Sequence, residues 1–152
     1  MSIEARLAEL GVILPEAPAP AANYVPWVRT GNLLFVSGQI AANADGFITG
    51  KLGENMTAED GAIAAKACAI SLLAQLKAGC DGDIERLVRV VKLVGFVNST
   101  PDFGDQPKVI NGCSDFMVEA LGDKGSHSRS AVSAASLPFG VAVEIEGIFE
   151  IS

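Results

Sequence analysis

In residues 141–151 apolar and acidic positions alternate. Val141, Val143, Ile145, Phe149 and Ile151 fall on one face and Glu144, Glu146 and Glu150 on the other, because strand side chains alternate with period two. One face belongs to a core and the other is acidic. Residues 24–28 and 33–39, aromatic and branched around Thr30-Gly31-Asn32, predict the two strands of a hairpin. Gly38 lets the second strand bend or approach a ligand closely. Ala62, Ala65, Ala69, Leu72, Leu73 and Leu76 recur at helical spacing, which predicts a helix from a Thr57 cap, with Asp60 in its first turn, to a stop at Gly79. Its many alanines predict close packing onto a sheet. Residues 87–97 are β-branched and apolar on both faces apart from Arg89 and Lys92, which predicts a central strand covered on both sides. A second helix follows Pro107, through Val109, Phe116, Met117 and Leu121, and ends at Gly122. Two strands at 130–136 and 141–151 complete a β-β-α-β-α-β-β order.

This order predicts an α/β (α+β) fold in a single domain, with two helices packed on one mixed sheet. Residues 1–23 are read as an N-terminal extension. A short amphipathic helix at 3–10 is stopped by Gly11, and Pro15, Pro18 and Pro20 with interleaved alanines form an extended surface connector. Residues 24–152 form the domain proper.

Composition narrows the function classes. A chain of 152 residues suits one domain that buries about two-thirds of its unfolded surface. With 49% hydrophobic and 19% charged residues it is apolar for its size, which predicts an oligomer. A bilayer span of roughly 20 apolar residues is not expected. Met1-Ser2-Ile3-Glu4-Ala5-Arg6 does not read as a secretory signal, so cytoplasmic residence is expected. Cys68, Cys80 and Cys113 lack paired or metal-site spacing and read as small core hydrophobes. A single histidine, His127, leaves little support for a catalytic triad or a zinc site, and neither metal nor organic cofactor is expected. The net charge of -7 argues against general nucleic-acid binding.

Chemistry concentrates in the last quarter. Ser126-His127-Ser128-Arg129-Ser130 leads through Ser136-Leu137-Pro138-Phe139-Gly140 to Glu144. A tight Pro-Gly turn there is expected to join neighbouring strands and bring Arg129 near the acidic face. Arg129 offers a permanently charged planar fork that matches a carboxylate. Glu144 can orient water or carry a proton, Glu146 is its rival should the register differ, and His127 is a further candidate base. Taken alone, each also has a structural reading, as a solvated arginine, an exposed strand glutamate or a turn histidine.

Two blocks carry a resemblance: Gly31-Asn32, four residues, then Ser37-Gly38-Gln39; and Arg129-Ser130, six residues, Leu137-Pro138, five residues, then Glu144. From Tyr24 onward the chain resembles the Rid (reactive intermediate deaminase, or YjgF) family of small trimeric enamine and imine hydrolases, whose fold is chorismate-mutase-like. The resemblance implies that Arg129 holds a substrate carboxylate, that Glu144 acts beside it, and that Tyr24, Ser37, Gly38 and an asparagine ahead of the second helix, matched by Asn111, line the site. It implies a homotrimer with sites between subunits. The implied function is hydrolytic deamination of reactive enamine or imine intermediates of small 2-amino acids to 2-keto acids and ammonia. The alternatives are a non-enzymatic module that binds small carboxylates such as keto acids, and an endoribonuclease, which the acidic balance disfavours. The chain departs from the pattern at Ala131, where many members carry cysteine, and in its extended N-terminus and longer loop between Asn98 and Pro107. Those departures resemble a longer-chain bacterial subgroup.

Overall fold

In a computed structural model that describes residues 1–17 and 23–152, Ser2 opens the first helix, α1 (Ile3–Glu9), by accepting a hydrogen bond from the Ala5 N–H through its hydroxyl. Ile3 and Leu7, one turn apart, are buried in the common core. The part of the expected connector that holds Pro18 and Pro20 lies outside the described residues. The chain then forms β1 (Trp27–Thr30) and β2 (Leu33–Ile40), paired antiparallel so that Thr30 faces Leu33. Gly31, at φ 57°, makes the left-handed turn between them. A small separate hairpin, β3 (Ala42–Asn43) and β4 (Gly46–Phe47), precedes the long helix α2 (Ala58–Gly79).

Thr57 caps α2, accepting from the Asp60 N–H at 3.2 Å. At 22 residues α2 is long and apolar enough to cross a membrane by length and composition. Its apolarity has another cause. It lies against β7, β2 and α3, and Ala64, Ala65, Cys68, Ala69, Leu72, Leu73 and Leu76 are buried in the shared core. A helix packed on several sides has no wide polar stripe to show. Where α2 crosses α3 (Gln106–Leu121) the backbones nearly touch, since a Cβ at Gly112 would strike the Ala62 carbonyl.

The main sheet is completed by β5 (Leu87–Asn98), β6 (Ser128–Ala134) and β7 (Val143–Ile151), in the order β1-β2-β7-β5-β6. Only β5 and β6 are parallel, so the sheet is mixed, with helices on one side of it. The expected β-β-α-β-α-β-β order is present.

Two expectations are corrected. β6 and β7 are not neighbours, because β5 lies between them and pairs with both. The turn at Pro138–Gly140, where Phe139 takes φ 58°, therefore belongs to a connection across the end of β5 rather than to a hairpin. And β5 is covered on one face only. Val90, Leu93 and Val97 are buried in the core, whereas Val94 and Phe96 look out from the other side, half-buried. That uncovered face continues across the sheet through Val28, Phe35 and Val132, all more than 40% exposed. The apolar second face is real, and none of the described residues covers it.

Candidate functional site

β2 and β7 pair regularly to Val36 opposite Gly147 and resume at Gln39 opposite Ile145. Ser37 and Gly38 are thus two residues set against one, a bulge that bends the strand. The Ser37 N–H donates to the Pro26 carbonyl at 2.9 Å, and its hydroxyl donates to the Val25 carbonyl at 3.1 Å. The bulge is thereby tied to the segment that follows Tyr24, whose ring is half exposed. Gln39 reaches back with its amide to the Ser37 carbonyl at 2.8 Å.

Glu144 lies beside this bulge. It faces Ile40 on one side and Phe96 on the other, and its carboxylate occupies the space a Cβ at Gly38 would need. Glycine at 38 therefore admits the carboxylate. Burial pushes the Glu144 carboxyl above its ordinary range, and the negative charge of Glu146 adds to the rise. A carboxyl so placed holds a proton more readily than an exposed glutamate, which suits it to proton transfer. Ser37, Gly38 and Glu144 thus belong to one neighbourhood on the β2-β7 part of the sheet, with Tyr24 directly ahead of the Val25-Pro26 segment that Ser37 binds.

Arg129 belongs to another. It stands on edge strand β6 opposite Leu93, which is fully buried, so it shares the helix side of the sheet. Its Nη1 donates to the Ser114 hydroxyl at 3.0 Å, and its Nη2 points at the Pro107 carbonyl at 3.4 Å. Both partners are on α3. Pro107, Asn111 and Ser114 are spaced by four and three residues, so they share one stripe of that helix. Asn111 is exposed and lies inside α3, rather than ahead of the helix as the resemblance implied. His127 completes the group, with Nε2 2.9 Å from the Ser114 hydroxyl and Nδ1 2.6 Å from the Gly125 carbonyl. No carboxylate pairs with Arg129 among the described residues. Burial pushes the Cys113 thiol up to about 12 despite the opposing charge of Arg129, so the thiol nearest the arginine is not a nucleophile.

The expected approach of Arg129 to the acidic face does not occur within the chain. Glu144 projects from the side of the sheet opposite the helices, and its in-register partner on β6, reached through Phe96, is Val132. The two backbones are separated by two strand spacings, roughly 10 Å, and by three residues along the strand, roughly 10 Å more. On the acidic face the cation in register is Arg89, opposite Glu150. One cleft of about 600 Å³ is lined by Arg89, Glu150, His127 and Ser128, and another of about 550 Å³ lies between α1 and the end of α3, lined by Ile3, Arg6, Glu119 and Lys124. Ser114 is the residue of the arginine group that sequence reasoning missed. Its spacing from Pro107 and Asn111 was the signal available.

Comparison with known proteins agrees with the fold. The family described as "YjgF/chorismate_mutase-like, putative endoribonuclease" matches residues 4–146. Protein TCP17 of Trypanosoma cruzi is 46% identical over 152 residues, covering 99% of this chain and 94% of that protein. The crystal structure of Atu1372 from Agrobacterium tumefaciens, a protein of unknown function, is 47% identical and superimposes with a TM-score of 0.92, over 99% of this chain and 92% of the other. TdcF of E. coli, solved with bound serine, is 25% identical with a TM-score of 0.63, over 90% and 94% of the two chains.

Proposed function

Because this chain belongs to the YjgF/chorismate-mutase-like family, we propose that it hydrolyses reactive enamine or imine intermediates of small 2-amino acids, releasing a 2-keto acid and ammonia. The observation that carries this reading is the state of Arg129. Its guanidinium is held by a hydroxyl and a carbonyl, both neutral, so its charge is left for an incoming carboxylate.

In the proposed reaction Arg129 pairs with the substrate carboxylate and fixes the adjacent C=N carbon. An enamine first takes a proton at its terminal carbon to become the iminium. Water then adds to the imine carbon and gives up a proton to Glu144. The proton is delivered to the nitrogen, which leaves as ammonia as the C=O forms. Iminium, with water, becomes keto acid and ammonium, so atoms and charge balance. The carbon is already electrophilic, and the protein supplies position and a proton acceptor. The raised affinity of Glu144 for protons suits it to that part.

Arg129 and Glu144 stand apart within one chain, so the site is proposed to form between copies, as in the trimer the resemblance implies. The uncovered apolar sheet face supports such an assembly. Bound serine in TdcF supports a small amino-acid-derived ligand. The same arginine would serve a module that only binds keto acids, and that reading predicts saturable binding with no ammonia released. An endoribonuclease reading gains nothing from the acidic face of β7. The test is to generate 2-aminoacrylate in situ with a lyase and follow its decay and the ammonia formed. Wild type accelerates both and Arg129→Ala does not; full activity in Arg129→Ala would sink the proposal.

A further inference from the structure

Three hydrogen bonds around Arg129 have polarities that determine one another. The Gly125 carbonyl can only accept, so in the neutral imidazole of His127 the hydrogen sits on Nδ1, which donates to it at 2.6 Å. Nε2 is then bare, and the Ser114 hydroxyl 2.9 Å away must donate to it. With its hydrogen committed, the Ser114 oxygen presents its lone pairs to the Arg129 Nη1–H at 3.0 Å. The chain runs in one direction from arginine through serine and histidine to a backbone carbonyl. The arginine, which can only donate, and the carbonyl, which can only accept, fix its two ends.

We propose that Ser114 and His127 are positioning residues that lock the Arg129 guanidinium for carboxylate binding, with His127 held as the Nδ1–H tautomer. The inference rests on the reading that Arg129 binds the substrate carboxylate. It adds the question of what aims that arginine. An edge-strand arginine with a half-buried side chain keeps much of its rotamer freedom, and freedom lost on binding is subtracted from affinity. Ser114 removes that freedom beforehand from a rigid helix, and Pro107 on the same stripe supplies a second, longer contact. A carboxylate at Ser114's place would lock the arginine as well, yet would neutralise the charge the ligand needs. A hydroxyl locks it and leaves the charge intact. His127 keeps that hydroxyl from turning its hydrogen toward the arginine. Neither residue touches the reacting atoms, so both act through Arg129.

His127 is the only histidine in the sequence, so the imidazole signals in a ¹⁵N spectrum of the full chain belong to it. A long-range ¹H–¹⁵N spectrum is expected to show a protonated-type Nδ1 and a bare-type Nε2; the reverse pattern overturns the relay. Rotation of the Arg129 guanidinium about its Nε–Cζ bond, read on the same sample, is expected to be slow in wild type and Ser114→Thr and faster in Ser114→Ala and His127→Ala. Unchanged rotation in Ser114→Ala overturns the proposal even if that variant binds ligand poorly. With 2-ketobutyrate as probe, Ser114→Ala is expected to bind about tenfold more weakly than wild type. In substrate turnover the loss falls on KM rather than kcat, and Ser114→Thr restores it. Adding Ser114→Ala to Arg129→Ala is expected to cost nothing more, and an additional loss there would assign Ser114 a role of its own and overturn the relay. If wild type binds no keto acid while the tautomer and rotation results hold, the relay stands and the deaminase reading fails.

Discussion

Arg129 and Glu144 stand on opposite faces of one sheet, with β5 between their strands. A site that uses both must therefore draw them from two copies of the chain. Mixing Arg129→Ala with Glu144→Gln, each inactive alone, is expected to regenerate activity after joint refolding. With equal amounts, about a quarter of the shared sites would pair an intact arginine with an intact glutamate. Ammonia release by the mixture measures this, and a mixture as dead as its parents would place both residues in a single-chain site or remove one from the chemistry.

Gly38 leaves its side-chain space to the Glu144 carboxylate. Gly38→Ala puts a methyl group there, and the flexible end of the glutamate can yield, so the fold should survive with a Tm close to wild type. The displaced carboxylate should not perform as well. A kcat reduced about tenfold or more is expected, since small misplacements of a reacting group cost disproportionately. Thermal unfolding and steady-state kinetics on the same sample separate the two effects, and unchanged kcat would detach Glu144 from catalysis.

The raised proton affinity of Glu144 gives two pH signatures. Its folded-state pKa exceeds the unfolded value, so the fold favours the protonated form. The associated stability is present below the unfolded pKa and is lost as pH rises through the folded one. Glu144→Gln is accordingly expected to raise Tm at neutral pH, with the advantage fading toward pH 4. In activity profiles the acid limb should lie above the range of an exposed glutamate. Glu146→Gln removes the repelling neighbour and should move that limb to lower pH; a limb that stays put would argue that another group controls it.

Gly112 sits where α3 meets the Ala62 carbonyl of α2. Rigid backbone faces the missing Cβ, so Gly112→Ala must push the helices apart. A loss of about 1–3 kcal/mol or more is expected from overpacking, despite alanine's better helix propensity. Urea unfolding reads this, and a stabilised variant would mean that the crossing can open freely.

Much of this was legible in the residues. The Thr57 cap, the Gly122 stop and the alternation of Val143, Ile145 and Phe149 against Glu144, Glu146 and Glu150 are local patterns, and local patterns identify elements and faces. By contrast, α2 runs through the expected stop at Gly79 to a Cys80 cap, with the left-handed residues Asp81 and Gly82 after it. Strand neighbours are not local. The turn residues between Arg129 and Glu144 suggested a hairpin, whereas the pairing of β5 with both β6 and β7 is settled by long-range burial of Leu93 and Val97. The apolar second face of β5 was visible in Val94 and Phe96, but a sequence does not state what covers it. Ser114 stayed hidden because a helical serine has no signature of its own until Arg129 lies across it.

The three thiols carry a final consequence. Cys68, Cys80 and Cys113 are all buried, and burial raises the pKa of each. Electrophilic carbon seeks thiolate, and a folded chain of this kind offers it almost none at neutral pH. The proposed imine chemistry would thus run beside few thiolates open to alkylation, with Ala131 rather than a cysteine standing two residues beyond Arg129.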